Sequence, residues 1–451
     1  MRGRAVAGSV VVVLVLVGGG FLLDRAGARP PGAPAPADAP SGVWYCPHGG
    51  GRTGWHVWLS LTNPEPSSVR ARVTTFGAAA PPAPKRVTVP ARARVQVPVP
   101  SASRERASMV EYFGGWIAAG WVARAGGDES GVAAEPCLSR AGRSFLLPDG
   151  TTEKGQDAYV VVMNPFASEA VFSLTIVTER RTVRWKSWST FLLKPGRSTA
   201  FHLNQHALGE QTVAAEIDVS IGRVAAASLG IDAKGGIRSA VGIPKAATQL
   251  VLPGVAEAGP SDLALLDPAG TAAKYRVTTL GPSGPVPAAD LATQELALGS
   301  ARTEHITAGS RALVISSSVP IAAARRSFGL QGDQGSTSGV VQAASAWVVP
   351  TAASSNGNQT RLYLANPGAR RASVTVYALS VGSAPTRART VDVPPGSTVL
   401  VDPKPGPSMA SIVAIARSGT FVPAEASYTE RGIGFAVTTG VPIPARWIPR
   451  R

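Results

Sequence analysis

The stretch Val160-Val161-Val162-Met163-Asn164-Pro165 decides the fold, because a short apolar strand runs directly into an Asn-Pro turn. The Asn side chain can accept a hydrogen bond from its own downstream backbone, and Pro fixes the next φ, so the pair starts a turn. The same pattern recurs at three other places, once with Asp instead of Asn: Leu59–Pro64, Leu263–Pro268 and Leu362–Pro367.

A second apolar strand, which ends in Pro, precedes each copy, at Trp44–Pro47, Phe145–Pro148, Leu250–Pro253 and Trp347–Pro350. The spacing from the strand-end Pro to the turn Pro is 17, 17, 15 and 17 residues. Apolar and polar residues alternate after each Asx-Pro pair, which indicates strands with one buried and one solvated face. The pattern predicts four copies of a β unit of about 100 residues.

We therefore predict an all-β protein of tandem immunoglobulin-like β-sandwiches, because turn signals at this spacing are typical of that fold. The predicted units are 42–141, 142–246, 247–343 and 344–443. Residues 444–451 contain a fifth copy of the Pro-terminated strand and are predicted to form a terminal strand. The alternative is a closed, four-bladed propeller-like array, which can use such a strand to join its ends.

The composition of the 451 residues excludes several classes of protein. A hydrophobic fraction of 44% excludes wholesale disorder, and 49 Gly with 38 Pro are too few and too irregular for collagen. Lys and Arg exceed Asp and Glu by 44 to 28, which gives a net charge of +16. Two Cys and five His leave little material for a metal centre, so no metal or cofactor is predicted.

The first residues predict export. A basic start at 1–4 precedes an uncharged, apolar segment at 5–23, long enough to span a bilayer as a helix. Positive charge before this segment favours a cytoplasmic start, so the rest of the chain is expected outside. Either the segment is retained as a single-pass signal anchor, or it is a signal peptide cleaved near Ala26-Gly27-Ala28, which gives a secreted protein. Residues 24–41 are Pro/Ala-rich and predict an extended stalk.

The two cysteines are Cys46 and Cys137, near the ends of the first predicted unit. A thiol pair in an export compartment becomes oxidised, so we predict a disulfide between them. In the loop-entropy model, a bridge that closes about 90 residues contributes on the order of 4–5 kcal/mol. The alternative is two buried thiols on strands too far apart to bond.

The basic start, single apolar segment, Pro/Ala stalk, Trp44-Tyr45-Cys46-Pro47 strand and repeated Asn-Pro turns resemble a family of actinobacterial envelope proteins. That family is known only as a domain of unknown function. The resemblance implies a single-span or secreted protein, encoded near membrane glycosyltransferases. It implies no catalytic residue, because none is defined for the family.

Two sets of residues are candidates for binding a polymer. Arg70 and Arg72 alternate with apolar residues on one predicted strand, and Arg92 and Arg94 do so on another. If both strands share a sheet, four guanidinium groups lie on one outer face that suits an anionic wall polymer or a lipid head group. The alternative is an ordinary solvated face.

Trp185 and Trp188 lie beside several Arg and Lys, and two Trp three apart on a strand cannot both face the core. An exposed Trp next to cations can stack on a sugar ring, although core or inter-domain packing is the alternative. His202 and His206 have the spacing of zinc ligands on a helix, but His202 lies in an alternating, strand-like segment.

The sequence offers no set of acid, base and nucleophile, so catalytic residues are not predicted. We expect a non-enzymatic, membrane-anchored envelope protein that scaffolds or contacts other cell-wall components as an end-to-end rod. The alternative is a carbohydrate- or anionic-polymer-binding protein that assists envelope glycan assembly. The expected partners are the membrane, a wall polymer or envelope proteins, and nucleic acid is not expected outside the cell.

Overall fold

The computed structural model describes residues 41–448, except 255–259, 269, 289–290, 292, 308–310, 351–357, 381–385, 402–409 and 430–433. The predicted basic start, apolar segment and stalk up to residue 40 lie outside the described residues. Within the described ranges, none of the helices has the length and apolar character needed to cross a membrane. The described chain is built from β-strands and short 3-10 helices.

The strands fall into four sequential groups, here called units 1 to 4. Unit 1 has β1 (Gly42–Cys46), β2 (His56–Asn63), β3 (Val69–Phe76), β4 (Lys85–Val89), β5 (Ala93–Val99), β6 (Ala107–Phe113), β7 (Ala118–Ala125) and β8 (Gly131–Pro136). Unit 2 has β9 (Ser144–Leu147), β10 (Gln156–Asn164), β11 (Ala170–Thr178), β12 (Thr182–Arg184), β13 (Phe191–Leu193), β14 (Arg197–His202), β15 (Val213–Ile221), β16 (Ala225–Asp232) and β17 (Gly236–Val241). The 3-10 helices Lys186–Trp188 and Leu203–Gln205 also belong to unit 2.

The second half of the chain continues the series. Unit 3 has β18 (Ala247–Leu252), β19 (Ser261–Leu266), β20 (Ala273–Gly281), β21 (Gly284–Pro287), β22 (Gln294–Leu296), β23 (Ala301–Ile306), β24 (Ala312–Phe328) and β25 (Gln334–Ser338). Unit 4 has β26 (Ala346–Val349), β27 (Asn358–Asn366), β28 (Ala372–Ser380), β29 (Thr386–Val393), β30 (Ser397–Val401), β31 (Ala410–Ser418), β32 (Val422–Thr429), β33 (Ala436–Thr439) and β34 (Val441–Pro442).

Each unit consists of two antiparallel sheets with a common strand order. In unit 1 the outer sheet runs β1-β6-β3-β4 and the inner sheet runs β5-β2-β7-β8. Units 2 and 4 repeat this order with β9-β15-β11-β12 and β14-β10-β16-β17, and with β26-β31-β28-β29 and β30-β27-β32-β33. In unit 3 one long strand, β24, belongs to both sheets. The all-β prediction is confirmed, and the sheets pack in a sandwich-like way around apolar cores.

The Asn-Pro turn is a buried polar joint. The Asn63 side-chain amide donates to the carbonyls of Ser67, Val89 and Pro90 at 2.7–3.2 Å, and its oxygen accepts from the Glu65 amide at 2.9 Å. Asn164 and Asn366 make the equivalent bonds in units 2 and 4. All three Asn residues are fully buried. The joint therefore ties the end of the second strand to the turn between the two sheets.

The four units close into a ring. One edge strand of each inner sheet, β8, β17, β25 or β33, packs against the corresponding strand of the next unit, and β33 packs against β8. The contact is close at two glycines: a side chain on Gly131 would lie 2.7 Å from the Ile237 amide, and one on Gly335 would lie 2.8 Å from the Val437 amide. The expected end-to-end rod is therefore wrong, and the units form a closed array, as in the alternative prediction.

The ends of the described chain meet where units 1 and 4 join. The Ser41 amide donates to the Tyr112 carbonyl at 2.7 Å. Burial raises the pKa of the Tyr112 hydroxyl, and the positive charge of Arg446, near the other end of the described chain, acts in the opposite direction. Ile443 and Trp447 pack into the core of unit 1. The predicted terminal strand at 444–451 is wrong, because Ala445–Trp447 form a 3-10 helix. Pro444 is the residue just before this helix, and it lacks the amide donor that a strand would need at this position.

The predicted disulfide is confirmed. Cys46 at the end of β1 bonds to Cys137 just after β8, with their Cα atoms 4.7 Å apart and a sequence separation of 91. Both cysteines are buried in the core of unit 1. The bridge therefore joins the outer sheet to the inner sheet of this unit.

The Asn joint can be tested with Asn164→Asp in unit 2. The variant replaces an amide donor with a carboxyl group that faces three carbonyl oxygens, so we expect the free energy of unfolding to fall by about 2–4 kcal/mol. Chemical denaturation measures this loss. Gln205→Glu, which makes the same change at an exposed position of unit 2, is expected to cost less than about 0.5 kcal/mol. Equal losses in the two variants would show that the joint contributes nothing.

Candidate functional site

The structure separates the four predicted arginines. Arg70 and Arg72 lie on β3 of the outer sheet, whereas Arg94 lies on β5 of the inner sheet and Arg92 in the turn before it. The predicted outer face with four guanidinium groups is therefore wrong. The period-two pattern shows which residues share a face of one strand, but it does not show which sheet the strand joins.

Arg94 is a buried structural residue. Its Nε donates to the Ser60 hydroxyl at 2.7 Å, and burial lowers its pKa to about 10, opposed by the charge of Glu425 in unit 4. The equivalent positions in units 2 and 4 are Ser198 and Thr398, which bond to the preceding unit at the Gly77 carbonyl and the Ala312 amide. Arg94 therefore faces unit 4 across the contact that closes the ring.

Arg92 occupies a backbone conformation that suits glycine. Its φ is +48°, the only positive φ of a non-glycine residue in the described ranges, and the equivalent residues of the other units are Gly196, Gly299 and Gly396 with φ of 59–62°. Its side chain is exposed at the tip of the turn. Arg92 is therefore a strained turn residue.

Arg86 joins Arg70 and Arg72 on the outer sheet. In the strand register Arg72 lies opposite Arg86 on β4 and opposite Glu111 on β6. We call Arg70, Arg72 and Arg86 the unit-1 basic face, and all three are exposed. The alternation in Lys85-Arg86-Val87-Thr88-Val89 is the sequence signal that identifies Arg86, but only the register shows that it neighbours Arg72.

The two predicted tryptophans have different environments. The 3-10 helix Lys186–Trp188 turns Trp188 into the core, where it is 8% exposed and meets the Phe201 ring edge-on at 5.2 Å. Trp185 lies on the surface with 49% exposure, and its ring stacks on His206 at 4.2 Å with an angle of 21°. Only Trp185 is therefore placed to contact a ligand.

The two histidines do not converge. His202 ends β14, stacks on Tyr159 at 4.4 Å and bonds to Asp157 at 2.9 Å, whereas His206 contacts both tryptophans. The described residues contain no group of three or more His, Cys, Asp or Glu side chains that could hold a metal ion.

The surface around Trp185 is aromatic and basic. We call Trp185 and His206, with their exposed neighbours Arg184 and Lys186, the unit-2 aromatic face. His206 covers one side of the Trp185 indole, and half of the residue remains open to solvent. Arg184 and Lys186 precede and follow Trp185 in the sequence and add positive charge to this surface, which therefore suits the apolar face of a sugar ring that carries an acidic group.

A buried ionic cluster lies between units 2 and 3. Asp149 forms ion pairs with Arg326 and, at 3.4 Å, with Arg238, and all three side chains are buried. Burial alone would raise the pKa of Asp149, but the two arginines lower it to about 2. The Arg238 guanidinium also donates to Gln334 at 2.7 Å. The partners belong to both units, so this cluster stabilises the contact between units 2 and 3 and does not form a ligand site.

Glu135 is a buried carboxyl group between units 1 and 2. It accepts from the Val241 backbone, and burial raises its pKa well above the usual range. Trp121 lies directly opposite it in the strand register. Within the described residues, Glu135 Oε1 and Trp121 Nε1 both lack a hydrogen-bond partner. The raised pKa indicates that Glu135 carries a proton at pH values where exposed glutamates are ionised.

These observations define an all-β protein of two-sheet units with one disulfide and two exposed candidate surfaces. The chain belongs to a family of unknown function, DUF5719, whose family model matches residues 111–404. The match begins within β6 and ends after β30, so it includes residues of all four units. No curated protein matches the chain. The resemblance to a family of unknown function is thereby confirmed.

Arg92→Gly is expected to raise the free energy of unfolding by about 0.5–1 kcal/mol, because glycine adopts a positive φ without steric cost. Thermal and chemical denaturation measure the gain. The reciprocal change Gly299→Arg places a side chain at φ +59° and should lower stability by about 1 kcal/mol. If Arg92→Gly leaves the free energy of unfolding unchanged or lowers it, the positive φ of Arg92 does not strain the turn.

Glu135→Gln is expected to change how stability depends on pH. In the unfolded chain Glu135 ionises at its ordinary pKa, whereas the folded protein keeps the proton, so stability falls as pH rises above that value. The wild-type protein should lose up to about 1.4 kcal/mol per pH unit relative to Glu135→Gln, until the pH exceeds the folded pKa. Denaturation curves between pH 4 and 8 are the measurement, and the exposed Glu169→Gln is the control. Parallel pH profiles for Glu135→Gln and wild type would refute the prediction.

Proposed function

We propose that this protein is a non-enzymatic interaction protein of the cell envelope that binds an acidic glycan through the unit-2 aromatic face. Trp185 carries the proposal, since it is a half-exposed indole held flat by a stacked His206 and flanked by Arg184 and Lys186. A ring that is already oriented loses little side-chain entropy when a sugar stacks on it. The closed ring also removes the main argument for a long scaffold and favours a compact binding protein.

The proposed location is extracytoplasmic, either anchored by residues 5–23 or secreted after their removal. The Cys46–Cys137 disulfide supports this location, because structural disulfides persist in oxidising compartments. The basic, apolar and Pro/Ala-rich order of the first 41 residues supports export independently. We also infer an immunoglobulin-like character for each unit, which the repeated two-sheet order supports. The resemblance of the first residues and the repeated turns to an actinobacterial family suggests an actinobacterial source.

A second candidate function is a scaffold that binds another envelope protein. One observation favours it: Leu192, Val171 and Ile221 lie side by side across β13, β11 and β15 in the strand register. Leu192 is 47% and Ile221 59% exposed. Such an apolar row on an outer sheet is typical of a protein contact.

Binding of purified, acidic cell-wall polysaccharide tests the glycan proposal. We expect Trp185→Ala to weaken binding by about five- to tenfold, because the variant loses the stacking surface. Isothermal titration calorimetry with the full chain measures the affinity. Trp185 is outside the core, so the melting temperature should remain within about 2 °C of wild type.

Leu192→Ala is the matched control, because it removes an equally exposed apolar side chain from the same unit. It should leave glycan affinity unchanged. If Leu192→Ala abolishes capture of an envelope protein while Trp185→Ala has no effect on glycan binding, the scaffold function replaces the glycan proposal. Trp188→Ala is unsuitable as a binding variant, because truncating this buried ring should cost about 3–5 kcal/mol of stability.

A further inference from the structure

The unit-1 basic face has an unbalanced charge. Arg72 is neutralised by Glu111, whose two carboxylate oxygens accept from Nε and Nη2 at 2.7 Å each. The Arg72 guanidinium also lies 5.7 Å from the centre of the Phe113 ring. Arg70 and Arg86 have no ion-pair partner among the residues that the structure describes. Two uncompensated cations therefore flank one paired cation.

The strand register places these cations close together. Arg86 lies directly opposite Arg72, and Arg70, two residues before Arg72, lies opposite Thr88. Diagonal positions on neighbouring antiparallel strands are about 7–8 Å apart, which is within reach of two long side chains that converge on one ion. The positive charges of Arg70 and Arg86 therefore repel each other across the two strands. An anion that binds between the two guanidinium groups removes this repulsion.

The residue types specify the kind of anion. A guanidinium presents a planar fork of donors that matches the oxygens of a phosphate, and the exposed Thr88 hydroxyl adds a further donor. We propose that Arg70, Arg86 and Thr88 form a binding site for the phosphate groups of an anionic polymer. This site lies on unit 1, whereas Trp185 lies on unit 2, so phosphate can bind here whether or not a glycan binds at Trp185.

A polymer fits this face better than a membrane. Surfaces that dock on anionic lipid usually add large apolar side chains that enter the bilayer. All large, exposed hydrophobic residues in the described chain lie in units 2 and 3 or in the short link after unit 3. The unit-1 basic face therefore offers cations and a hydroxyl on the exposed side of β3 and β4, a surface along which a chain of phosphates can lie.

Long-chain polyphosphate is the probe, and the full chain is titrated with it at several salt concentrations. Wild type should bind, and the double variant Arg70→Gln/Arg86→Gln should bind at least tenfold more weakly. Each lost phosphate contact also lowers the slope of log K against log salt by about 1, so the slope should fall by about 2. Arg52→Gln/Arg124→Gln is the matched control: it removes the same charge from exposed positions of unit 1 and should change affinity less than twofold.

Glu111→Gln gives a result of opposite sign. It removes the carboxylate that occupies Arg72, so polyphosphate should bind two- to fivefold more tightly. Trp185→Ala should bind polyphosphate as wild type does, which separates this site from the glycan proposal. The inference is overturned if wild type does not bind, if the two double variants lose affinity equally, or if vesicles with anionic lipid bind through Arg70 and Arg86 while polyphosphate does not.

Discussion

The buried carboxamide at the Asn-Pro turn is the interaction on which each sandwich-like unit depends. Asn164 satisfies the carbonyls of Ser168, Leu193 and Lys194, and its oxygen accepts from Phe166. Without this side chain, several backbone groups would be buried unpaired at the point where the chain passes between the sheets, and such groups are costly. A carboxylate cannot donate, so Asp267 in unit 3 must satisfy its surroundings differently. The repeated sequence pattern therefore reflects a hydrogen-bonding requirement as well as a turn preference.

Ring closure adds a second constraint, because every unit buries two faces against neighbours. The four contacts differ in chemistry. Units 1 and 2 bury the Glu135 carboxyl group, whose pKa is raised, and units 2 and 3 bury an Asp–Arg cluster. Between units 3 and 4 the Gly434 and Phe435 amides donate to the Asp333 carboxylate, and between units 4 and 1 Arg94 lies near the charge of Glu425, beside an apolar contact around Ala436. Buried polar groups penalise a wrong neighbour, since they would be left without partners. The differences therefore favour one order of units around the ring.

Sequence patterns predicted the parts of the structure that depend on local chemistry. Strands around Val69–Val73 were predicted from alternation, turns from the Asn-Pro pairs, and the Cys46–Cys137 bridge from two cysteines in a chain expected to be exported. Predictions from sequence patterns failed where the structure depends on neighbours that are distant in sequence. The alternating pattern predicts an exposed position for Arg94, but Arg94 is buried because the inner sheet of unit 1 faces unit 4. The role of Arg86 could not be predicted either, because its proximity to Arg72 depends on pairing between β3 and β4.

The ring also determines where ligands can bind. The inner sheets pack on one another through their last strands, so their residues serve the contacts between units and are buried there. Outer sheets and the loops beside them keep a solvated face, as the exposed Arg70 and Arg86 on one unit and Trp185 on another show. Because the ring is closed, the two surfaces belong to adjacent units of one continuous array. Because the two surfaces differ in chemistry, one aromatic and one guanidinium-rich, a polymer carrying both sugars and phosphates would satisfy both, and binding to the two together would exceed binding to either alone if its length spans them.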